Sequence, residues 1–155
     1  MLIGISQRVI EQVDYVEVRD ALSRDWFQYI HDLIPDAAVV PFPNHIDCAK
    51  NTLRHLNFDA FILSNGNDVG EFESRDTVER EILNHAVENR IPLLGVCRGM
   101  QFICSEFGGE IVEAVAAKTS ENHVGIPHKI RMLSNKIKSM DVPLKETYLV
   151  NSWHN

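Results

Sequence analysis

The sequence predicts an α/β fold, a three-layer sandwich in which a mostly parallel central sheet carries helices on both faces. Short apolar runs alternate with segments whose apolar residues recur at helical spacing through the first two-thirds of the chain. Such alternation is typical of strand–helix–strand crossovers, which build parallel sheets. No internal repeat, linker or low-complexity segment interrupts the pattern, so a single domain, 1–155, is predicted.

The first half of the chain predicts strands 2–6, 37–40 and 60–63 and helices 18–33 and 44–56. A loop containing Tyr15 is expected between the first strand and the first helix. Pro35 ends that helix because proline cannot continue it. Pro41 and Pro43 close the second strand, and Asn44 is the expected cap of the second helix.

The second half predicts helices 76–89 and 99–107 and strands 91–96, 111–115, 130–133 and 147–150. Residues 91–96 form a short apolar run, typical of a buried strand. Gly108 and Gly109 mark the end of the helix before them. Polar residues predict loops at 64–70 and 118–127.

Composition excludes several classes of function. The net charge is −7 and no lysine or arginine cluster forms a stripe, so we expect no nucleic-acid partner. The apolar runs are too short to span a bilayer, and the N-terminus lacks the pattern of a signal peptide. Three cysteines without paired spacing indicate a reducing, cytoplasmic setting.

Gly95, Cys97 and Gly99 lie between a predicted strand and a predicted helix, at the spacing of a nucleophile elbow with cysteine in place of serine. Such a corner is crowded, so its neighbours must lack a Cβ atom. The corner side chain would face the positive end of the helix, which favours the nucleophilic thiolate. The alternative is a buried structural cysteine, and the glycines favour the nucleophile. Cys104 and Cys48 lack such glycines. Cys104 is predicted to lie in the core, and Cys48 is predicted to be inert.

The loop 64–70 follows a predicted core strand, and open α/β sheets place their sites at such strand ends. A thiolate that attacks an amide carbonyl creates an oxyanion, which needs backbone N–H donors. Gly66 permits a close approach, and the N–H of Arg98 lies at a helix N-terminus. Together they predict an oxyanion hole; the alternative is an ordinary strand-to-helix loop.

Four stretches resemble the class I glutamine amidotransferases and, within them, the γ-glutamyl hydrolases of peptidase family C26. They are the elbow at 93–101, the loop at 62–68, Arg75-Asp76 with Glu79, and the segment 151–154. Arg75, Asp76 and Glu79 are also compatible with a solvated helix start. A narrower resemblance, carried by 4–8, 15–26, 67–68 and 150–155, is to a subfamily that acts on a γ-glutamyl cytidine-diphosphate amidate in capsular polysaccharide biosynthesis.

The resemblance implies a flavodoxin-like sheet and a role for each matching residue. Cys97 would be the nucleophile that forms a γ-glutamyl thioester, and the backbone N–H groups of Gly66 and Arg98 would stabilise the oxyanion. The glutamyl amino and carboxylate groups would be held by Gln101, Ser152, Trp153 and His154. Water would then release glutamate. No metal and no cofactor is implied, and the substrate is a small γ-glutamyl molecule.

Two departures from the family pattern matter. Asn65-Gly66 stands where the family usually has two glycines, and asparagine tolerates unusual backbone angles. A His-x-Glu dyad, which the family places on a strand after the segment 151–154, does not occur in the 155 residues. The domain is therefore expected to lack its C-terminal catalytic strand. His154 matches the binding segment, not the base.

Three functions remain open at this point. The first is a hydrolase of γ-glutamyl amides, and the second is a glutaminase subunit that supplies ammonia to a synthase partner. The third is a non-catalytic γ-glutamyl-binding protein, which the absent dyad favours. A missing strand would also expose a sheet edge and favour a homo-oligomer.

Overall fold

The computed structural model describes residues 1–111, 125–131 and 147–150. The chain divides into two compact units, Met1–Ile111 and Val112–Asn155. In the first unit the strands are β1 (Leu2–Ser6), β2 (Arg8–Glu11), β3 (Val18–Ala21), β4 (Ala38–Phe42), β5 (Ala60–Leu63) and β6 (Leu93–Gly95). Its helices are α1 (Arg24–Leu33), α2 (Ile46–His55), α3 (Glu73–Asn89) and α4 (Arg98–Glu106). In the second unit, β7 (His128–Arg131) pairs antiparallel with β8 (Thr147–Val150).

The central sheet has four parallel strands in the order β4-β1-β5-β6. The first strand of the chain therefore lies inside the sheet, and the chain crosses over it before β5. All four carboxyl ends meet at one edge, where an open α/β sheet places its site. The predicted parallel α/β fold is confirmed.

Helices cover the two faces of this sheet unequally. One face buries the larger core, in which α2, α3 and α4 pack against aromatic side chains that include Phe42, Phe58 and Phe61. On the other face Ile30 of α1 packs with Ile3, Ile5 and Ile62. No helix among the described residues is long and apolar enough to cross a membrane.

The segment after β1 is a β-hairpin where the sequence predicted a loop and the start of a helix. Arg8–Glu11 pairs antiparallel with Val18–Ala21, in the register Arg8 with Ala21. The helix begins only at Arg24, because Ser23 is its N-cap and accepts a hydrogen bond from Asp25 N–H at 3.3 Å. The prediction that this helix starts at Val18 is wrong.

Several predicted boundaries also shift. β4 continues through Pro41, which its edge position allows because a missing N–H does no harm there. His45, not Asn44, caps α2. α3 begins at Glu73, three residues before the predicted start of this helix.

In the second unit, β7 lies two residues earlier than the predicted strand 130–133, and the strand 147–150 is confirmed. The predicted strand 111–115 falls almost entirely outside the described residues.

Candidate active site

Two loops meet at the carboxyl edge of the sheet because their strands are neighbours. Leu63 at the end of β5 pairs with Gly95 at the end of β6, and Val96 N–H donates to Leu63 O at 2.9 Å. The end of β5 is also joined to β1, since Ser64 N–H donates to Ser6 Oγ at 2.9 Å and Ser64 Oγ–H donates to Ser6 O at 2.7 Å. The loops after β5 and β6 therefore start from a fixed base.

Cys97 occupies the corner between β6 and α4. It is the N-cap of α4, its side chain is exposed, and its backbone angles are φ 53° and ψ −110°. A residue with a Cβ atom seldom adopts a positive φ, and such backbone strain clusters at functional sites. The corner thus presents a thiol at the positive end of a helix.

The glycines on both sides of Cys97 are required by close packing. A Cβ atom on Gly95 would lie 2.6 Å from Cδ1 of Ile103 and 2.7 Å from the backbone of Gly99. A Cβ atom on Gly99 would collide with the carbonyl oxygen of Leu63. The first turn of α4 therefore lies directly on the end of β5, which brings Cys97 next to the loop that follows Leu63.

Arg75 organises that loop from the inside. Its guanidinium donates to the carbonyl oxygens of Ser64 at 2.9 Å, of Asn65 at 3.2 Å and of Gly66. In a trans peptide the C=O and N–H groups point in opposite directions. Because the Asn65 carbonyl faces Arg75, the Gly66 N–H points away from it. The Gly66 N–H, on a backbone with φ +85°, is thus directed away from the guanidinium, which is compatible with a donor to an oxyanion.

The charge on Arg75 belongs to a buried cluster of four ionised side chains, Arg75, Asp76, Glu79 and Arg98. Arg75 Nε donates to Glu79 Oε1 at 3.0 Å, and Arg98 pairs with both Asp76 and Glu79. Burial is the main cause that lowers the pKa of each arginine to about 10. The charge of Arg8 adds to this effect at Arg75, and the charge of Arg75 adds to it at Arg98, so both arginines stay charged at neutral pH. The alternative of a solvated helix start is therefore wrong.

The cluster links α3 to both loops of the site. Arg98 is the first residue of α4, directly after Cys97, and Arg75 holds the loop after β5. Asp76 Oδ2 also accepts a hydrogen bond from Gly70 N–H at 2.8 Å. One helix end thus fixes the two N–H groups predicted to form the oxyanion hole, those of Gly66 and Arg98.

The β2–β3 hairpin forms a further wall of this edge. Asn67 Oδ1 accepts from Val9 N–H at 2.8 Å, and Asn67 Nδ2 donates to Val9 O at 3.1 Å. Asn67 has φ 56°, a conformation that asparagine tolerates. Trp26 Nε1 donates to Asn65 Oδ1 at 3.2 Å, so side chains of the loop are held on two sides.

The remaining predicted residues have different outcomes. Gln101 lies half-buried one turn after the corner, and its N–H donates to Cys97 O at 3.1 Å. Ser152, Trp153 and His154 lie outside the described residues. Cys104, predicted to be in the core, is exposed because it faces away from the sheet side of α4 that Phe102 occupies.

Two comparisons with known proteins cover most or all of this chain. A family model, glutamine amidotransferase class-I, matches residues 16–154. A gamma-glutamyl-CDP-amidate hydrolase from Campylobacter jejuni is 33% identical over 162 residues, which cover 100% of this chain and 70% of that protein.

Two synthases match over shorter stretches. GMP synthase [glutamine-hydrolyzing] from Anaplasma marginale is 33% identical over 48% of this chain and 14% of its own length. CTP synthase from Pyrobaculum aerophilum is 31% identical over 64% of this chain and 18% of its own length.

Replacement of Gly99 by alanine should destabilise the protein by about 1–3 kcal/mol or more, because its Cβ atom meets backbone that cannot rotate away. Urea unfolding measures the change. Met100→Ala, at an exposed position of the same helix, is the control and should change stability much less. Equal losses would show that the contact with Leu63 is unimportant.

Replacement of Arg75 by methionine should cost about 3–5 kcal/mol, since it removes one of the two arginines that pair with the buried Glu79. The matched control is Arg80→Met, which breaks the more exposed pair with Glu106 and should cost roughly 0–1 kcal/mol. Both values come from denaturant unfolding. A loss in Arg75→Met no larger than in the control would contradict the role of the buried cluster.

Proposed function

Because the chain belongs to the class-I glutamine amidotransferase family, a family of enzymes, we propose that it hydrolyses a γ-glutamyl amide bond through a thioester on Cys97. One observation carries the proposal. The exposed thiol of Cys97 lies on a strained corner beside a loop whose Asn65 carbonyl accepts from Arg75, which directs the Gly66 N–H away from that side chain. A nucleophile next to preorganised N–H donors is suited to acyl transfer.

The reaction proceeds in two steps. The thiolate of Cys97 attacks the γ-carbonyl carbon, and the N–H groups of Gly66 and Arg98 bind the oxyanion that forms. Collapse of this intermediate breaks the C–N bond, and the leaving nitrogen takes up a proton. Water then attacks the thioester, which releases glutamate and restores the thiol.

The glutamyl part of the substrate would be bound by residues around the corner. Gln101, one turn into α4, is assigned to the α-amino and α-carboxylate groups together with Ser152, Trp153 and His154. The leaving group is assigned from the Campylobacter relative, whose name specifies γ-glutamyl-CDP-amidate. Identity along the whole chain supports the same substrate here, and with it a place in the biosynthesis of capsular phosphoramidate.

A second candidate function is a glutaminase that supplies ammonia to a synthase partner. The similarity to GMP synthase and CTP synthase favours it, since the name of the former includes glutamine hydrolysis. The two functions differ in their substrate and in the effect of a partner. A glutaminase would turn over free glutamine and would respond to its synthase, whereas the hydrolase would act alone on a substituted amide.

A chloroketone analogue of glutamine should form one covalent adduct, located at Cys97 and slowed by glutamate. Intact mass spectrometry with peptide mapping measures it. Cys48 and Cys104 are exposed, so Cys48→Ala and Cys104→Ala are controls that should keep the adduct. In Cys97→Ala the adduct and the release of glutamate should both be lost, the latter by at least about 1,000-fold. Turnover retained in that variant would refute a cysteine nucleophile.

Gly66→Ala should lower kcat for glutamine by roughly 100- to 1,000-fold and change KM little. Alanine disfavours the φ of +85° that directs the N–H of residue 66, and this N–H serves the transition state. Gly70→Ala is the matched control. It has a similar φ of +90°, with no atom within 4 Å of an added Cβ, and it lies outside the proposed oxyanion hole. If both variants lose the same activity, general loop strain, not the hole, explains the effect.

A further inference from the structure

Arg8 lies beside the proposed oxyanion hole and has no part in the mechanism above. It begins β2, separated from the end of β1 by Gln7 alone, and it is exposed. Its aliphatic stem crosses Gly66, since an added Cβ atom there would lie 3.0 Å from Arg8 Cδ and 3.4 Å from Arg8 Cβ. The guanidinium is therefore attached next to the N–H that would receive the oxyanion.

Within the described residues, Arg8 forms neither a salt bridge nor a side-chain hydrogen bond. The other arginines near this edge are already neutralised. Arg19 pairs with Glu17 at 2.8 Å, and Arg75 and Arg98 belong to the buried cluster. The positive charge of Arg8 also reaches Arg75, whose pKa it helps to lower. In a chain of net charge −7, this is an unneutralised cation at the site.

The backbone that carries Arg8 is fixed. The neighbouring residue Val9 is joined to Asn67 by two hydrogen bonds of 2.8 and 3.1 Å. On the other side, Gln7 Nε2 donates to Phe42 O at 2.9 Å. The opposite strand is tied down as well, because Asp20 accepts from Asn44 N–H at 2.9 Å and from Asn44 Nδ2 at 2.8 Å. The guanidinium thus moves only through its own side-chain torsions.

We propose that Arg8 binds a phosphate group in the leaving group of the γ-glutamyl substrate. The inference rests on the proposed function and adds the substrate class and its specificity residue. In an N-phosphoryl amide, only the amide nitrogen separates phosphorus from the carbonyl carbon. With the carbonyl oxygen at Gly66 N–H, a phosphate this close to the carbonyl carbon would be within reach of the Arg8 guanidinium, whose stem passes Gly66. A guanidinium matches two phosphate oxygens with parallel hydrogen bonds.

The positive charge of Arg8 would counteract the negative charge of the phosphate during the reaction. The phosphate raises the negative charge near the attacked carbonyl, which disfavours attack by a thiolate. Arg8 offsets this charge and also stabilises the leaving phosphoramidate as the C–N bond breaks. Arg19, on the same face of the hairpin, already contacts Glu17 and Tyr15. Arg8 is therefore the arginine of this face that is available to bind a phosphate.

The test compares kcat/KM for N-phosphoryl glutamine with kcat/KM for glutamine, whose leaving group is ammonia. Arg8→Gln keeps the side chain as far as Cδ and removes the charge. It should lower kcat/KM for the phosphorylated substrate roughly 10- to 100-fold, in KM through the lost binding contact and in kcat through the lost stabilisation of the leaving group, and change kcat/KM for glutamine less than about 2-fold. Arg8→Lys should restore part of the loss, since it keeps the charge without the fork.

Arg54→Gln is the control, because Arg54 is an exposed arginine at the C-terminal end of α2, at the opposite edge of the sheet. Arg54→Gln should leave kcat/KM unchanged for both substrates. An unchanged substrate ratio in Arg8→Gln, or a wild-type protein without preference for the phosphorylated substrate, would overturn the assignment of Arg8. A wild-type protein that releases glutamate from neither substrate would overturn the proposed function itself, and the assignment with it.

Discussion

The site depends on the buried pairing of Arg75 and Arg98 with Asp76 and Glu79. Charged groups removed from water are stable only when opposite charges and hydrogen-bond acceptors surround them. Here the surplus donors of Arg75 are taken up by three consecutive carbonyl groups, those of residues 64 to 66. The requirement for satisfied charges therefore determines the path of the loop after β5. Through it, the N-terminal end of α3 fixes the geometry of both that loop and the corner before α4.

The residues with positive φ angles at the site are likewise held by their surroundings. Gly66, Asn67 and Cys97 all have positive φ angles, and all lie at the carboxyl edge of the sheet. Such conformations persist only where the surroundings over-determine them. The loop is held from below by Arg75 and from the side by the hairpin, whereas the corner is held by the packing of Gly99 on Leu63. Rigid support on several sides makes precise N–H donors compatible with a loop.

The sequence predicts the parts of the fold that follow from local rules. Apolar runs identify β1 and β5, and the spacing of Gly95 and Gly99 identifies the corner. It fails where distant partners decide. The strand β3 has two apolar residues, Val18, which is exposed, and Ala21, and only its pairing with β2 defines it. A charged first turn normally lies in water, so nothing local reveals that Arg75 is enclosed by carbonyl groups of a loop nine to eleven residues earlier.

The two hydrogen bonds between Asn67 and Val9 have a consequence for cooperativity. The side chain of Asn67 pairs with the backbone N–H and C=O of Val9, as a neighbouring strand would. The backbone of Asn67 belongs to the loop that carries Gly66. The hairpin and the loop therefore share their conformational freedom. Because Arg75 and the hairpin already hold the loop in place, little conformational entropy remains for it to lose when an oxyanion binds. A substitution that loosens the hairpin would therefore also loosen the loop, although the two segments are distant in sequence.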